Sequence, residues 1–260
     1  MSDANPPLPP RIPPHYLQST PPQPDPEPLG TDPKEREWIG NPIAAIEAIL
    51  RQPRRVMYQV RQTGVGGFIL GMFLVVIVCC LAYGVVVGTF SNGVQLWAAP
   101  AKIAGGMLVS AFICLPSLYI FTCLSGSQAR LSEICGLLGG MLMLTTILLI
   151  GFAPVAWLFS QSTESVAWMG TLHLVFWFIA TGFGLRFLSN AFAHSQARSQ
   201  AGLNTWIIIF VLVAVQMTTA LRPIVGKADT FLPREKKLFL THWGDSLSQA
   251  MQDTPARGPR

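Results

Sequence analysis

Half of the 260 residues are hydrophobic, only 12% are charged and the mean hydropathy is +0.43, far from the roughly 25% charge content of soluble domains. That balance excludes an ordinary water-soluble domain and points to a chain dissolved in lipid. The net charge of +5 is accounted for by basic residues at membrane boundaries, so no nucleic-acid partner is expected.

Residues 1–40 are Pro-rich and polar and read as a disordered or polyproline II tail. Within it Pro6-x-x-Pro9-x-Arg11 fits the ligand pattern of SH3 domains, and a solvated tether is the other reading. No cleavable signal peptide is expected, because this polar tail precedes the first apolar run.

Residues 41–66 form a basic, amphipathic juxtamembrane segment. Asn41-Pro42 predicts an N-cap followed by the first helical position. Ile43, Ile46, Ile49, Leu50, Val56, Met57 and Val60 then recur at helical spacing, with a break at Pro53. Arg51, Arg54, Arg55 and Arg61 fall mostly between them and are the candidate membrane-surface residues, drawn to anionic lipid. The alternative is that the stripe packs on the bundle's own loops.

A helix crossing roughly 30 Å of hydrocarbon needs about 20 apolar residues. The transmembrane domain, 67–222, holds five such runs: 67–90, 103–124 with Lys102 at its edge, 134–159, 168–188 ending near Arg186, and 204–221. None of the five contains Asp or Glu, which argues against ion-coupled transport. Close helix contacts are expected at Gly84-xxx-Gly88, Gly136-xxx-Gly140, Gly182-x-Gly184 and Ala104-Gly105-Gly106, either within the bundle or between two copies.

Pro116 interrupts the second run. A proline frees a carbonyl one turn earlier, and in lipid that group needs a partner, for which Ser110, Ser117 and Thr122 are at hand. Two readings follow: a kink in a packed helix, or a broken helix lining a site as in secondary transporters. On the second reading a water-filled cavity lies beside Ser117 and Gln216. His173 in the fourth run is either a hydrogen-bond partner of a neighbouring helix or a base for a membrane serine. The fragment "CLSGS" at 123–127 lacks the first glycine of the Gly-x-Ser-Gly pattern of intramembrane serine proteases.

The remaining chemistry is sparse. Cys79, Cys80, Cys114, Cys123 and Cys135 show no metal spacing, the histidines are scattered, and no phosphate-binding loop is present. Neither a metal nor an organic cofactor is expected. Arg51, Arg54, Arg55 and Arg61 before the first span place the N-terminus in the cytoplasm, with Arg130 and Arg198 in loops on the same side. Five spans then put the C-terminal tail, 223–260, outside despite Lys227, Arg234, Lys236 and Lys237. Arg222-Pro223 closes the last span, and an amphipathic stripe of Phe239, Trp243, Leu247 and Met251 is expected at 233–251.

Through "LPSLYIFTCLSGS" (115–127) and "TTALRPIVG" (218–226) the sequence resembles bacterial polytopic membrane proteins of unassigned function. More distantly, a long N-terminal tail ahead of five clustered spans is similar to the Yip-type family of Rab-interacting membrane proteins. That resemblance covers about residues 41–245 and implies a cytoplasmic N-terminus and a role in membrane organisation or trafficking through partners, without catalysis. The Yip-type signature motifs are not intact here, so no functional residue is carried over.

The expectation is therefore an all-α integral membrane bundle of about five transmembrane helices with flanking interfacial amphipathic helices, in the bacterial inner membrane. Its expected role is non-enzymatic, an accessory or scaffold organising lipid or partner proteins. Expected partners are membrane lipids and either another membrane protein or a second copy, met through Gly-rich helix faces. A small permease subunit using the kinked second span is the alternative, with Pro116, Ser117, His173, Gln216 and Arg222 as its candidate residues.

Overall fold

The computed structural model describes residues 27–91, 95–162, 166–194 and 201–220, and among them all regular structure is helical. Two short helices, α1 (Pro42–Arg51) and α2 (Pro53–Val60), precede five long ones: α3 (Gly66–Ser91), α4 (Gln95–Leu124), α5 (Leu131–Ser162), α6 (Val166–Ala193) and α7 (Ala201–Ala220). Each of the five is long and apolar enough to cross a bilayer. The chain is a multi-pass membrane protein.

α5 is the central helix. Its apolar window is 67% buried, against 22–39% for the other four. It packs on α3 and α6, α3 packs in turn on α4, and α4 carries α7, so the order across the bundle is α6, α5, α3, α4, α7. α6 and α7 thus rest on different neighbours and share no extensive contact among the described residues. The outer faces are what lipid requires: Leu70, Leu74, Val78, Leu81 and Val85, three or four residues apart, form an exposed apolar stripe along α3. Trp97, Trp157 and Trp168 are exposed where α4 starts, α5 ends and α6 starts. These three positions share one end of the bundle, the arrangement of an interfacial aromatic belt.

Several boundaries differ from those expected. α4 begins at Gln95, eight residues before the expected 103, and runs through Pro100 and Lys102. Lys102 is therefore not at the edge of the span but inside it, and it is 2% exposed. Pro100 is the sixth residue of α4, past the first turn, so it forfeits the bond to the Leu96 carbonyl, and it sits against Gly84, whose missing side chain lets the two backbones meet. α5 begins at Leu131 and takes in Glu133, so one span does carry an acid at its end. α6 continues to Ala193, which places Arg186 inside the helix, exposed and with its guanidinium 6.0 Å from the Phe183 ring centroid.

The expected glycine contacts are largely internal. A Cβ on Gly84 would overlap the Pro100 backbone, and one on Gly184 would overlap Thr145 Oγ1 and the Met141 carbonyl. On Gly136 it would stand 2.5 Å from Val60 Cγ1, and on Gly140 2.8 Å from the Phe187 ring. Gly105 and Gly182 would meet nothing within 4 Å. Close approach of backbones thus joins α3 to α4, and α5 to both α2 and α6.

Candidate functional site

The first cluster caps one end of the bundle. The Asn41 side chain accepts from Ala44 N–H at 2.6 Å and starts α1, and the break at Gln52-Pro53 turns the chain into α2, as expected. Ala45, Ala48, Ile49, Val56, Met57 and Val60 are buried in the main core beside residues of α3, α5 and α6. The stripe therefore faces the bundle's own end, while Ile43 and Leu50 stay exposed on the outer side together with Trp38.

The cap also reaches further back than the expected boundary at residue 40. A turn through Gly30, whose φ of +86° favours glycine, leads into a one-turn 3-10 helix at Pro33–Arg36. Glu35 accepts from Gly30 N–H at 2.6 Å and pairs with Arg54. Ile39 is 2% exposed, and its N–H and C=O both bond the Gln59 side chain, at 2.9 and 3.2 Å. These partners lie about twenty residues apart, so the Pro-rich composition does not reveal them.

Of the four candidate surface arginines, only Arg51 points fully outward, opposite Glu47 at 3.5 Å. Arg54 joins Glu35 to His194, with NH1 3.2 Å from Nε2. His194 Nδ1 lies 2.7 Å from the Asn190 carbonyl, which can only accept, so Nδ1 carries the proton and Nε2 accepts from Arg54. Arg55 donates to the Glu37 and Trp38 carbonyls at 2.9 and 3.3 Å and pairs with the Glu37 carboxylate at 3.3 Å. Arg61 places Nε 2.9 Å from Glu133 Oε1 in a charge contact, and donates to the His194 and Ala191 carbonyls at 3.1 and 3.4 Å. Arg54 and Arg61 thus tie the N-terminal segment to the C-terminal end of α6, where free carbonyls attract cations, and Arg61 ties it to the start of α5 as well.

The second set, drawn from the spans, is not brought together. Pro116 is exposed on the outside of α4, which continues through it to Leu124. Ser117 bonds the Cys114 carbonyl at 2.8 Å, and that same carbonyl accepts the Trp206 indole N–H of α7 at 2.9 Å. Thr122 bonds back to Leu118. Gln216 is exposed. Arg222 lies outside the described residues, as do the SH3-like motif and the 233–251 stripe. His173 bonds the Tyr83 hydroxyl of α3, Nδ1 to oxygen 2.7 Å, which is the neighbouring-helix role. Ser127 follows α4 at the cap end, whereas His173 lies twenty residues back from Ala193, about 30 Å along α6.

A third cluster was not expected. A cavity of about 60 Å³ lies where α4, α6 and α7 approach, lined by Lys102, Met107, Ser110, Trp177, Met217 and Thr218. Ser110 is 1% exposed and its hydroxyl has no partner. One turn from Trp177 on α6, His173 keeps a buried Nε2 without a partner as well. The signal in the sequence was Trp97: an aromatic anchor five residues ahead of Lys102 places the lysine below the interface, about 7.5 Å further along the helix. Among the described residues no group of three or more His, Cys, Asp or Glu side chains is arranged to hold a metal ion. Comparison with protein families, with curated proteins and with solved structures finds no match to this chain.

Proposed function

We propose that this chain is an accessory or scaffold protein of the bacterial inner membrane, with its cap in the cytoplasm, that organises partner proteins or lipid without chemistry of its own. The observation carrying this reading is the cap. Arg54 and Arg61 fasten residues 27–61 to the ends of α5 and α6, and Arg55 ties the segment to itself at Glu37 and Trp38, so that it forms a fixed surface on the bundle. Residues 1–26 continue from that surface in sequence. Among the described residues the cap end carries Lys34, Arg36, Arg51, Arg54, Arg55, Arg61, Arg130 and Arg186, and the other end only Lys102, which supports a cytoplasmic cap. The membrane-organising role implied by the Yip-type resemblance agrees with this arrangement. The exposed α6 face around Gly182, Phe178, Ile179 and Phe183 is where another membrane protein or a second copy would rest.

The test is crosslinking in native membranes, purification, and identification of what is retained. A specific partner linked through the cap supports the reading. Its absence, together with measurable solute flux in reconstituted vesicles, contradicts it. Pro116→Ala should leave both partner and fold in place, because Pro116 faces outward and alanine restores the N–H that Phe112 O lacks. Thermal stability in detergent is expected to be unchanged or higher.

A further inference from the structure

We propose that His194 is a pH switch in the attachment of the cap: its neutral ring holds Arg54 to the end of α6, and a second ring proton releases that hold. The inference rests on how the cap is attached, not on its having a partner. It is tested with no partner present, so it and the scaffold reading fail separately.

Arg54 is the clasp of the N-terminal segment. Its Nε pairs with Glu35, and its NH2 donates to the Glu27 and Pro28 carbonyls at 3.1 and 3.2 Å, all partners that precede it in the same segment. Among its described contacts only NH1 leaves the segment, meeting His194 Nε2 at 3.2 Å. The Asn190 carbonyl 2.7 Å from Nδ1 fixes the tautomer, so the Arg54 bond uses the one lone pair the neutral ring offers. A proton added there removes the acceptor, whatever else surrounds the ring, and turns an N–H toward a guanidinium. His194 is partly exposed just past the end of α6, so protons reach it from solvent.

The charges that face it come in pairs. From α2 comes Arg54, and one residue past its end Arg61, which donates to the His194 carbonyl at 3.1 Å. Glu35, in the 3-10 turn, is engaged by Arg54, and Glu133, on α5, by Arg61. A charged ring therefore adds a third cation beside two guanidiniums whose carboxylates are already taken. The closed cap favours the neutral ring and the released cap accepts the proton, so attachment is complete near about pH 8 and weakens as pH falls toward about 5. The Arg61 contacts and the buried stripe persist, so the cap loosens without leaving the bundle.

The full-length protein in phosphatidylcholine nanodiscs is followed by hydrogen exchange at about pH 7.5 and about pH 5.5, both within the histidine range. Each amide rate is divided by that of an unstructured peptide at the same pH. Protection of residues 42–60 should fall about tenfold or more in acid, the size set by losing a hydrogen bond to a charged group, while α5 keeps its own. His194→Gln, whose amide oxygen replaces the Nε2 acceptor without titrating, should abolish the response, and the response, not the resting level, is decisive there. His194→Arg, charged at both values, should leave residues 42–60 loosened already at the higher pH. No acid response in the wild type overturns the proposal, as does one that persists in His194→Gln, because another group would then be titrating. So does a His194→Arg cap as protected as the wild type at the higher pH, or a fall shared equally by α5.

Discussion

Gly84→Val is expected to destabilise the protein by about 3 kcal/mol or more, the upper end of the scale for overpacking a well-packed core. The reason is the identity of what the new side chain meets. A Cβ at residue 84 overlaps the Cα and N of Pro100, backbone atoms that cannot rotate aside as the end of a side chain can. Relief requires α3 and α4 to move apart, and α4 also carries α7 and lines the Lys102 cavity. Gly105→Ala supplies the control, since its Cβ meets nothing within 4 Å, and a change of less than about 0.5 kcal/mol is expected there. Unfolding in mixed detergent micelles, followed by Trp emission, distinguishes the two. Equal stability of the two variants would mean that α3 and α4 do not cross at Gly84 and Pro100.

Arg61→Ala carries the second large effect. The variant removes the partner of Glu133, whose side chain is 16% exposed, and strips donors from the Ala191 and His194 carbonyls. Breaking a buried ion pair by removing one member costs about 3–5 kcal/mol, and the partial exposure of this pair, 24% and 16%, places the expected loss at about 3 kcal/mol. The damage should be local, freeing α1 and α2 from the bundle while the spans persist. Hydrogen exchange is the measurement: amides of residues 42–60 should exchange faster and trypsin should cut at Arg54 and Arg55, with α5 protected. Arg51→Ala, at an ion pair whose side chains are 77% and 66% exposed, should change neither readout. Unchanged exchange in Arg61→Ala would show that the Arg61 contacts do not hold the cap.

How far the fold could be read in the sequence depends on which solvent made the choice. Lipid selects apolar runs of sufficient length, so all five spans were legible, and a stripe such as Leu70, Leu74, Val78 could not have been placed in water. Their ends were less so. Pro100 and Lys102 look like the edge of a span, and only Pro100's seat on Gly84, a partner sixteen residues away, explains why α4 passes through them. The glycines announced close contacts without announcing with what. The cap shows the same division: the break at Pro53 and the Asn41 cap are local and were readable, whereas Arg54 with Glu35 and His194, or Gln59 with Ile39, are choices made by tertiary packing. His173 was legible as a polar group in need of a partner, but Tyr83 as that partner was not. Pro116 drew attention in the sequence as a breaker, yet in the structure the neighbouring Cys114 carbonyl, held by Ser117 and Trp206, is where α4 and α7 are joined.

The central claim is that five helices cross the bilayer and place the cap and the α5–α6 turn on opposite faces. Single cysteines at Glu37, Gln128 and Gln161, all exposed positions, test it directly in a chain whose five native cysteines are replaced. With a membrane-impermeant maleimide applied to intact cells, the account predicts labelling at Gln161→Cys alone, with Glu37→Cys and Gln128→Cys reacting only after the membrane is opened. Labelling of all three from one side would contradict it.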